Sequence, residues 1–201
     1  GSGDELAYLR KAADSGNKNA QYVLGEMIIN IEDNETFSFR KELRKQLLAC
    51  SSEQGNGIAS RFLGIRHKNE KDYIKAVKTF HQGVKNGDSQ SALALADGFK
   101  KGIKENNKID YLALSPDAER HVRYKMIENY LYKNDYLNPT VPDLDKIVPL
   151  PPAKLPAWDG KIAFQRWYEG PSPAKPSDAL MQKLADKAGL DVKTGLPLKK
   201  R

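Results

Sequence analysis

Three glycines recur in the same local context, and this repetition constrains the fold of the 201-residue chain more than any other feature. Gly16, Gly55 and Gly87 lie 39 and 32 residues apart. A small residue precedes each glycine by four positions, another follows it by four, and leucine follows it by eight. Glycine ends a helix readily, and small residues at these spacings let two helix backbones approach closely. The pattern therefore predicts repeated antiparallel helical hairpins.

The clearest copy of the pattern runs from Lys75 to Gly102. Gly87 ends its first helix, and Asp88 or Ser89 can cap the second by accepting hydrogen bonds from free N–H groups. The second helix has one apolar stripe, made of Ala92, Leu95, Ala96 and Phe99. Two-helix units at such periods bury their apolar faces by stacking, which predicts an α-solenoid. An irregular helical bundle is the alternative.

These residues resemble the Sel-like repeat, a relative of the tetratricopeptide repeat. The matching positions are Lys75-Ala76, Thr79-Phe80, Gly83-Val84, Gly87, Ser91, Leu95-Ala96, Phe99 and Gly102. A first copy, from Leu6 to Gly25, matches as well, whereas the middle copy departs at Ser51-Ser52 and at His67. The resemblance covers residues 4–135 and implies an all-α fold, a right-handed α-solenoid that serves as a protein-binding scaffold.

The composition changes after residue 137. Nine of the eleven prolines lie between Pro139 and Pro176, which excludes a further helical repeat there. A disordered linker fits poorly with the many large apolar residues, so we expect an ordered arm along the solenoid that buries Trp158 and Trp167. Ser177 and Gly189 bound a last amphipathic helix. We therefore predict a solenoid over 4–137 and an arm with a small helical module over 138–201, and we read residues 1–3 as an expression scar.

The C-terminal run carries a second resemblance. Its residues Pro156-Ala157-Trp158-Asp159-Gly160, Trp167, Lys175-Pro176-Ser177 and Thr194-Gly195-Leu196-Pro197 resemble a module that follows Sel-like repeats in bacterial immunity proteins. Such proteins neutralise toxic effectors, including phospholipases delivered by type VI secretion. The resemblance implies a non-enzymatic chain that binds a cognate secreted toxin and occludes it. A general Sel-like repeat scaffold or signalling adaptor is the alternative.

The candidate partner-binding residues lie on or beside the helices that line the concave face of such solenoids. They are Arg61, Arg66, Asp97, Lys100 and Lys101. A second basic group, at Arg40, Lys41, Arg44 and Lys45, has the spacing of a solvated helix face. The helix from Ser115-Pro116 to Lys133 is expected to present Val122, Met126, Ile127, Tyr130 and Leu131 to the preceding repeat, with Arg120, Arg123 and Lys125 outside.

The residues that commonly carry catalysis are sparse. The three histidines lie in different predicted helices without the i, i+4 spacing of a helical zinc site, and the single cysteine, Cys50, excludes an internal disulfide. We interpret Cys50 as a packed core thiol and His81 as an outward position. The sequence has no G-x-S-x-G motif, so we expect no enzymatic activity, no metal and no cofactor.

The charge of the chain bears on its partners and its location. The net charge is +7 and is spread along the chain, with a short basic end at Lys199-Lys200-Arg201. A solvated basic surface is the simplest interpretation, and an acidic protein partner or anionic surface is the next. No nucleic-acid module is recognised, and no apolar run reaches the ~20 residues that span a membrane. Asp4 starts what resembles the second helix of a repeat, without a first helix before it. Together with the resemblance to immunity proteins, this start predicts a periplasmic location with a signal peptide or lipid anchor removed. A cytoplasmic location is the alternative.

Overall fold

A computed structural model describes residues 2–198, and these residues form ten α-helices. They are α1 (Ser2–Asp14), α2 (Lys18–Ile29), α3 (Phe37–Glu53), α4 (Gly57–Asn69), α5 (Tyr73–Lys85), α6 (Ser89–Gly98), α7 (Ala118–Lys133), α8 (Leu144–Ile147), α9 (Ala163–Glu169) and α10 (Asp178–Ala188). The expected all-α class is confirmed. Lys199-Lys200-Arg201, the predicted basic end, lies outside the described residues.

The three recurring glycines form the same turn, as the sequence predicts. Each has a positive φ, between +89° and +104°, and each turn is closed by two amide-to-carbonyl hydrogen bonds from the glycine and the residue after it. That next residue is the N-cap of the following helix: Asn17, Asn56 and Asp88 accept from backbone amides of α2, α4 and α6. Glycine is required there because a side chain would be strained at such φ.

Each helix from α1 to α6 packs against the next one along the chain, and α4 also contacts α6. The close approach expected in the clearest copy is present, because a Cβ placed on Gly83 would lie 2.3 Å from Oγ of Ser91. The predicted stripe on α6 is fully buried.

In the middle copy the two serines are buried and hydrogen-bonded: Ser51 Oγ donates to the Lys18 carbonyl, and Ser52 Oγ lies 2.6 Å from Ser60 Oγ. Stacking of these hairpins into a solenoid stays a prediction.

Helix α7 departs from its prediction at both its start and its buried face. It begins at Ala118 with Asp117 as N-cap, so the predicted start at Ser115-Pro116 is wrong by two residues. The residues that it buries are Arg120, Arg123, Tyr124, Ile127 and Leu131, whereas Val122 and Met126 are half exposed. The expectation that Arg120 and Arg123 lie outside is therefore wrong.

The two buried arginines hold the proline-rich segment. Arg120 donates to the carbonyls of Pro149 and Ala153, and Arg123 donates to those of Ile147 and Pro156 at 2.7 Å each. Proline lacks an N–H and interrupts regular pairing, so carbonyls in such a segment need other donors. The guanidinium groups supply them, because each carries five N–H donors.

Residues of the proline-rich segment share a core with α5, α6 and α7. The buried ones are Val141, Leu144, Ile147, Val148 and Ile162. Trp158 packs partly buried against this core, but the side chain of Trp167 is 68% exposed, so its expected burial is wrong. The domain boundary predicted after residue 137 stays a prediction; the first compact unit of the structure continues to Tyr168.

A second compact unit begins at Glu169. Ser177 caps α10 and Gly189 ends it at φ +68°, both as predicted. The apolar side of this amphipathic helix is not buried, since Leu180, Met181 and Leu184 are each at least 42% exposed. Beyond α10, Leu190 and Pro197 form an isolated antiparallel bridge. Among the described residues, no helix has the length and apolar character that crossing a membrane requires.

Candidate partner-binding surface

The sequence-predicted residues Arg61 and Arg66 both lie on α4, but they point in different directions. Five residues along an α-helix correspond to a rotation of about 140°. Nε of Arg61 lies 3.3 Å from Oδ2 of Asp88, and its guanidinium carbon lies 5.7 Å from the ring centre of Phe62. Burial raises the pKa of the Asp88 carboxyl, which also caps α6. Arg61 thus connects α4 to the start of α6. Its side chain is also partly exposed and can be reached by a partner.

Arg66 lies beside the C-terminal end of α4. Its Nε is 2.5 Å from Oε1 of Glu70, and Nη2 is 3.9 Å from Oε1 of Glu42. The hydrogen bond from Arg66 is the largest cause that lowers the pKa of the Glu70 carboxyl to about 2. Lys45 reaches the other oxygen of Glu70 at 3.1 Å. Glu70 is therefore ionised at any physiological pH and holds two basic side chains in place.

The other three predicted residues lie at the end of α6. Lys100 Nζ is 2.6 Å from Oδ1 of Asp97, and Lys101 is exposed. Within residues 2–198, no ion pair joins this group to Arg61 or Arg66. The assignment of all five residues to partner binding stays a prediction.

Two adjoining cavities lie along α3, α4 and the loop before α7, and we call them together the basic groove. One has a volume of about 390 Å³ and is lined by Lys41, Arg44, Phe62, Ile65, Arg66, Asn69 and Glu70. The other has about 370 Å³ and is lined by Lys68, Asn69, Lys71, Tyr73, Glu105, Lys108 and Tyr111. Asn69 belongs to both. Each volume is within the range of about 300–1,000 Å³ that is typical of ligand sites.

Most basic side chains of the groove are held by the protein itself. Nη2 of Arg44 lies 2.7 Å from Oε1 of Glu26, and the Arg44 guanidinium carbon lies 5.9 Å from the ring centre of Phe62. Nζ of Lys68 donates to the Ile109 carbonyl at 2.7 Å, and burial lowers the pKa of Lys68. Such contacts fix positions in advance, which reduces the entropy lost on binding.

Two lysines of the groove have no carboxylate partner within the described residues. Nζ of Lys41 lies 5.7 Å from the ring centre of Phe37, and Lys108 makes no ion pair. Aromatic rings line both cavities: Phe62 stacks on Tyr22 with ring centres 6.2 Å apart, and Tyr73 meets Tyr111 edge-on at 5.1 Å. Six basic and two acidic side chains line the groove, so an anionic group is attracted to it.

Of the five partner-binding residues predicted from the sequence, only Arg66 lines this groove. The sequence pattern assigned Lys41 and Arg44 to a solvated face, and it placed Arg40 there too. Arg40 is buried, since it donates to the Ile28 carbonyl at 2.9 Å and contacts the Asp33 carbonyl. The i, i+3 spacing of Lys41 and Arg44 was a usable signal, because such residues share a helix face. The contribution of the loop at residues 105–111 had no such signal.

The three histidines are buried or partly buried. His81 is buried, contrary to the expected outward position: Nε2 lies 2.6 Å from Oδ1 of Asp145, and Nδ1 lies 2.8 Å from the Tyr124 hydroxyl. Both ring nitrogens are therefore occupied. His67 is buried, and His121 Nδ1 contacts the Ala96 carbonyl at 2.6 Å. Among residues 2–198, no group of three or more His, Cys, Asp or Glu side chains could hold a metal ion.

A family model described as a domain of unknown function, DUF6396, matches residues 91–198. This chain belongs to the DUF6396 family. The matched region begins in α6 and includes α7, its two buried arginines and the proline-rich segment. The basic groove of this DUF6396 protein has one wall inside the matched region, the loop at residues 105–111, and the other wall outside it, on α3 and α4.

The DUF6396 chain also resembles three solved structures from Pseudomonas aeruginosa. The immunity protein Pa5087 is 28% identical with a TM-score of 0.58, the immunity protein PA5088 is 26% identical with 0.58, and PA5086 is 27% identical with 0.57. Each match covers 72% of this chain but only 51–52% of the other, so the chain spans about half the length of these neighbours. No curated protein sequence matches. The expected resemblance to immunity proteins is confirmed, and the Sel-like repeat stays a prediction.

Proposed function

We propose that this chain is an immunity protein that binds a secreted antibacterial toxin and blocks the toxin's active site. The observation that carries the proposal is the likeness to Pa5087 and PA5088, two proteins described as immunity proteins, at 26–28% identity. Similarity of this degree over 72% of the chain supports a related role more strongly than a shared helical class would.

Binding rather than catalysis is the chemistry that the fold favours. Consecutive hairpins stacked as an α-solenoid would offer a long surface built from rigid helices, and rigid elements bind a partner with little loss of entropy. Both ring nitrogens of His81 are occupied by Asp145 and Tyr124, so this buried histidine has no free atom to serve as a base. We therefore propose stoichiometric inhibition without turnover.

The finer parts of the proposal follow from the resemblance of the C-terminal run. The toxin would be a phospholipase delivered by type VI secretion, and the meeting place would be the periplasm. A few arginine and aromatic side chains would dominate the binding energy, as they do at most protein interfaces. Arg61, Arg66, Asp97, Lys100 and Lys101 are the candidates that the sequence offers for this contact.

The test is affinity capture followed by protection. The purified chain is used as bait in a lysate of its source bacterium, and the retained proteins are identified by mass spectrometry. We expect one dominant secreted hydrolase at near-equal stoichiometry. That hydrolase is then directed to the periplasm of a test bacterium, where we expect it to stop growth unless this chain is co-expressed in the same compartment. A catalytically inactive variant of the hydrolase serves as the control for toxicity.

The alternative, a general scaffold or adaptor, predicts a different result. Several envelope or housekeeping proteins would then be retained, and co-expression would not restore growth. Capture of a hydrolase that the chain binds but does not inhibit would also overturn the immunity role. Retention of a cytoplasmic toxin would leave that role intact and replace the periplasm as the site of action.

A further inference from the structure

The basic groove is the most strongly charged concave surface among the described cavities. Its six basic side chains outnumber its two acidic ones, Glu70 and Glu105, and both of those acids are already engaged. Glu70 accepts from Arg66 and Lys45, and Glu105 lies 3.4 Å from Nζ of Lys71. The partial negative charge at the C-terminal end of α4 offsets only about half of one basic charge. Glu26 and Glu42 pair with Arg44 and Arg66 from outside the lining, and Lys45 pairs with Glu70. With these neighbours included, basic side chains still outnumber acidic ones, so the groove retains a net positive charge.

We propose that the basic groove binds an acidic segment of the partner protein. This inference deepens the proposed function and rests on it in one respect, namely that the partner is the toxin. Charge complementarity supplies the argument: carboxylates of a partner would be drawn to Lys41 and Lys108, the two lysines of the groove without an acidic partner among residues 2–198.

The floor of the groove favours a peptide over other polyanions. Ile65, which is partly buried, supplies an apolar surface between the basic side chains, where an apolar residue of a partner segment can be buried. The ring of Phe62 is already engaged, since Tyr22 stacks on it and the guanidinium groups of Arg44 and Arg61 lie near it, and Tyr73 and Tyr111 meet each other edge-on. Recognition of single-stranded nucleic acid depends on aromatic faces that are open to bases. An acidic segment with interspersed apolar residues fits these features.

The groove is preorganised for such a segment on both sides. Glu26 and Glu70 hold Arg44 and Arg66, and the Ile109 carbonyl holds Lys68. These contacts favour one position of each side chain before a partner arrives, so binding loses less conformational entropy. Lys41 lines one cavity and Lys108 lines the other, and both can form a new ion pair with a carboxylate of the partner.

The experiment uses charge reversal at the two unpaired lysines. A Lys41→Glu/Lys108→Glu variant is compared with a Lys133→Glu/Lys154→Glu variant, which has the same net charge but is altered at exposed positions outside the groove. Both are first shown to have the helical content and unfolding midpoint of the wild-type chain. The probe is a fluorescein-labelled decapeptide that alternates glutamate with leucine, and a lysine–leucine decapeptide of equal length is the negative control.

We expect the acidic peptide to bind the wild-type chain and to lose affinity by about tenfold or more in the groove variant, with about a twofold change in the control variant. Addition of the peptide should change the NMR chemical shifts of backbone amides in residues 41–45, 62–71 and 105–111, and the affinity should decrease as the salt concentration rises. Equal affinity of the acidic peptide for both variants, or chemical-shift changes elsewhere on the chain, would overturn the assignment of the groove as the binding site. Tighter binding of a single-stranded DNA decamer or of anionic phospholipid vesicles at the same residues would replace the acidic protein segment by that class of ligand.

The same two variants separate this inference from the proposed function. If a captured toxin binds wild type and groove variant equally well, the groove assignment is wrong and the immunity role stands. If the acidic peptide binds in the groove but no toxin is captured or neutralised, the groove stands and the immunity role fails.

Discussion

Nε2 of His81 on α5 lies 2.6 Å from Oδ1 of Asp145, a residue 64 positions later in the chain. Nδ1 of the same ring lies 2.8 Å from the hydroxyl of Tyr124 on α7, and Nζ of Lys85 lies 2.5 Å from the other oxygen of Asp145. A neutral imidazole that donates from Nε2 and accepts at Nδ1 satisfies both contacts. This histidine thereby connects the proline-rich segment to two helices of the preceding hairpins.

The protonation of His81 predicts a loss of stability on acidification. Burial, more than the opposing contact with Asp145, lowers the pKa of His81 below its ordinary 6.5. The unfolded chain therefore takes up a proton near pH 6.5 and the folded chain only at lower pH, so the free energy of unfolding falls as the pH drops below about 6.5. For His81 alone the fall is at most about 1.4 kcal/mol per pH unit.

Urea unfolding at pH 7.5, 6.5 and 5.5, followed by circular dichroism, measures this loss. In a His81→Gln variant the decrease between pH 7.5 and 5.5 should be smaller than in the wild type. Some decrease should remain, because burial also lowers the pKa of His67. Parallel pH dependence in the two proteins would show that His81 does not titrate in this window.

Two glycines at equivalent positions of successive copies should respond oppositely to alanine. Gly25 and Gly64 each follow a turn glycine by nine residues. A Cβ on Gly64 would lie 2.7 Å from Cε1 of Phe80, whereas a Cβ on Gly25 would meet its nearest atoms at 3.6 Å. We expect Gly64→Ala to destabilise the chain by about 1–3 kcal/mol through overpacking. Gly25→Ala should be neutral or stabilising by up to about 1 kcal/mol, because alanine favours helix.

The midpoint of urea unfolding for each alanine variant decides the matter. A common shift of both variants in one direction would mean that the contact of Gly64 with Phe80 does not control the result.

Arg123 should stabilise the chain far more than an exposed arginine does. Its side chain donates to the carbonyls of Ile147 and Pro156 and lies 5.9 Å from the ring centre of Trp158. Arg123→Met would leave two carbonyls without these donors, at an expected loss of about 1–3 kcal/mol in the free energy of unfolding. The matched control is Arg166→Met, since Arg166 forms an exposed pair with Asp159, and such pairs contribute about 0–1 kcal/mol. Equal losses in chemical denaturation would contradict the role of Arg123.

Cys50 should react in the native protein. The expectation of a packed core thiol is wrong, because Cys50 is exposed on α3. We expect one thiol per chain to react fully with Ellman's reagent without denaturant, and we expect Cys50→Ser to change the free energy of unfolding by less than about 0.5 kcal/mol, as exposed substitutions usually do. A thiol that reacts only in urea would restore the core interpretation.

The amino-acid sequence by itself determined the local elements of this protein. Gly16, Gly55 and Gly87 could be read as helix ends because a turn at positive φ depends on the residue itself and its immediate neighbours. The buried stripe of α6 and the cap at Ser177 were predictable for the same reason, since helical periodicity and capping act within a few residues. The all-helical class follows from these local signals.

Only the tertiary structure decided where the charged and ambiguous side chains lie. Arg40, Arg120 and Arg123 have sequence spacings that suit a solvent-facing position, yet all three are buried and donate to backbone carbonyls. For Arg120 and Arg123, these carbonyls belong to a segment at least 24 residues away in the chain. A local sequence pattern cannot show these distant carbonyls. The carbonyls of the proline-rich segment lose water as donors and need the arginines only when that segment packs on α7. The basic groove has the same origin: α3 and α4 supply one wall, and the loop at residues 105–111 completes it only in the folded chain.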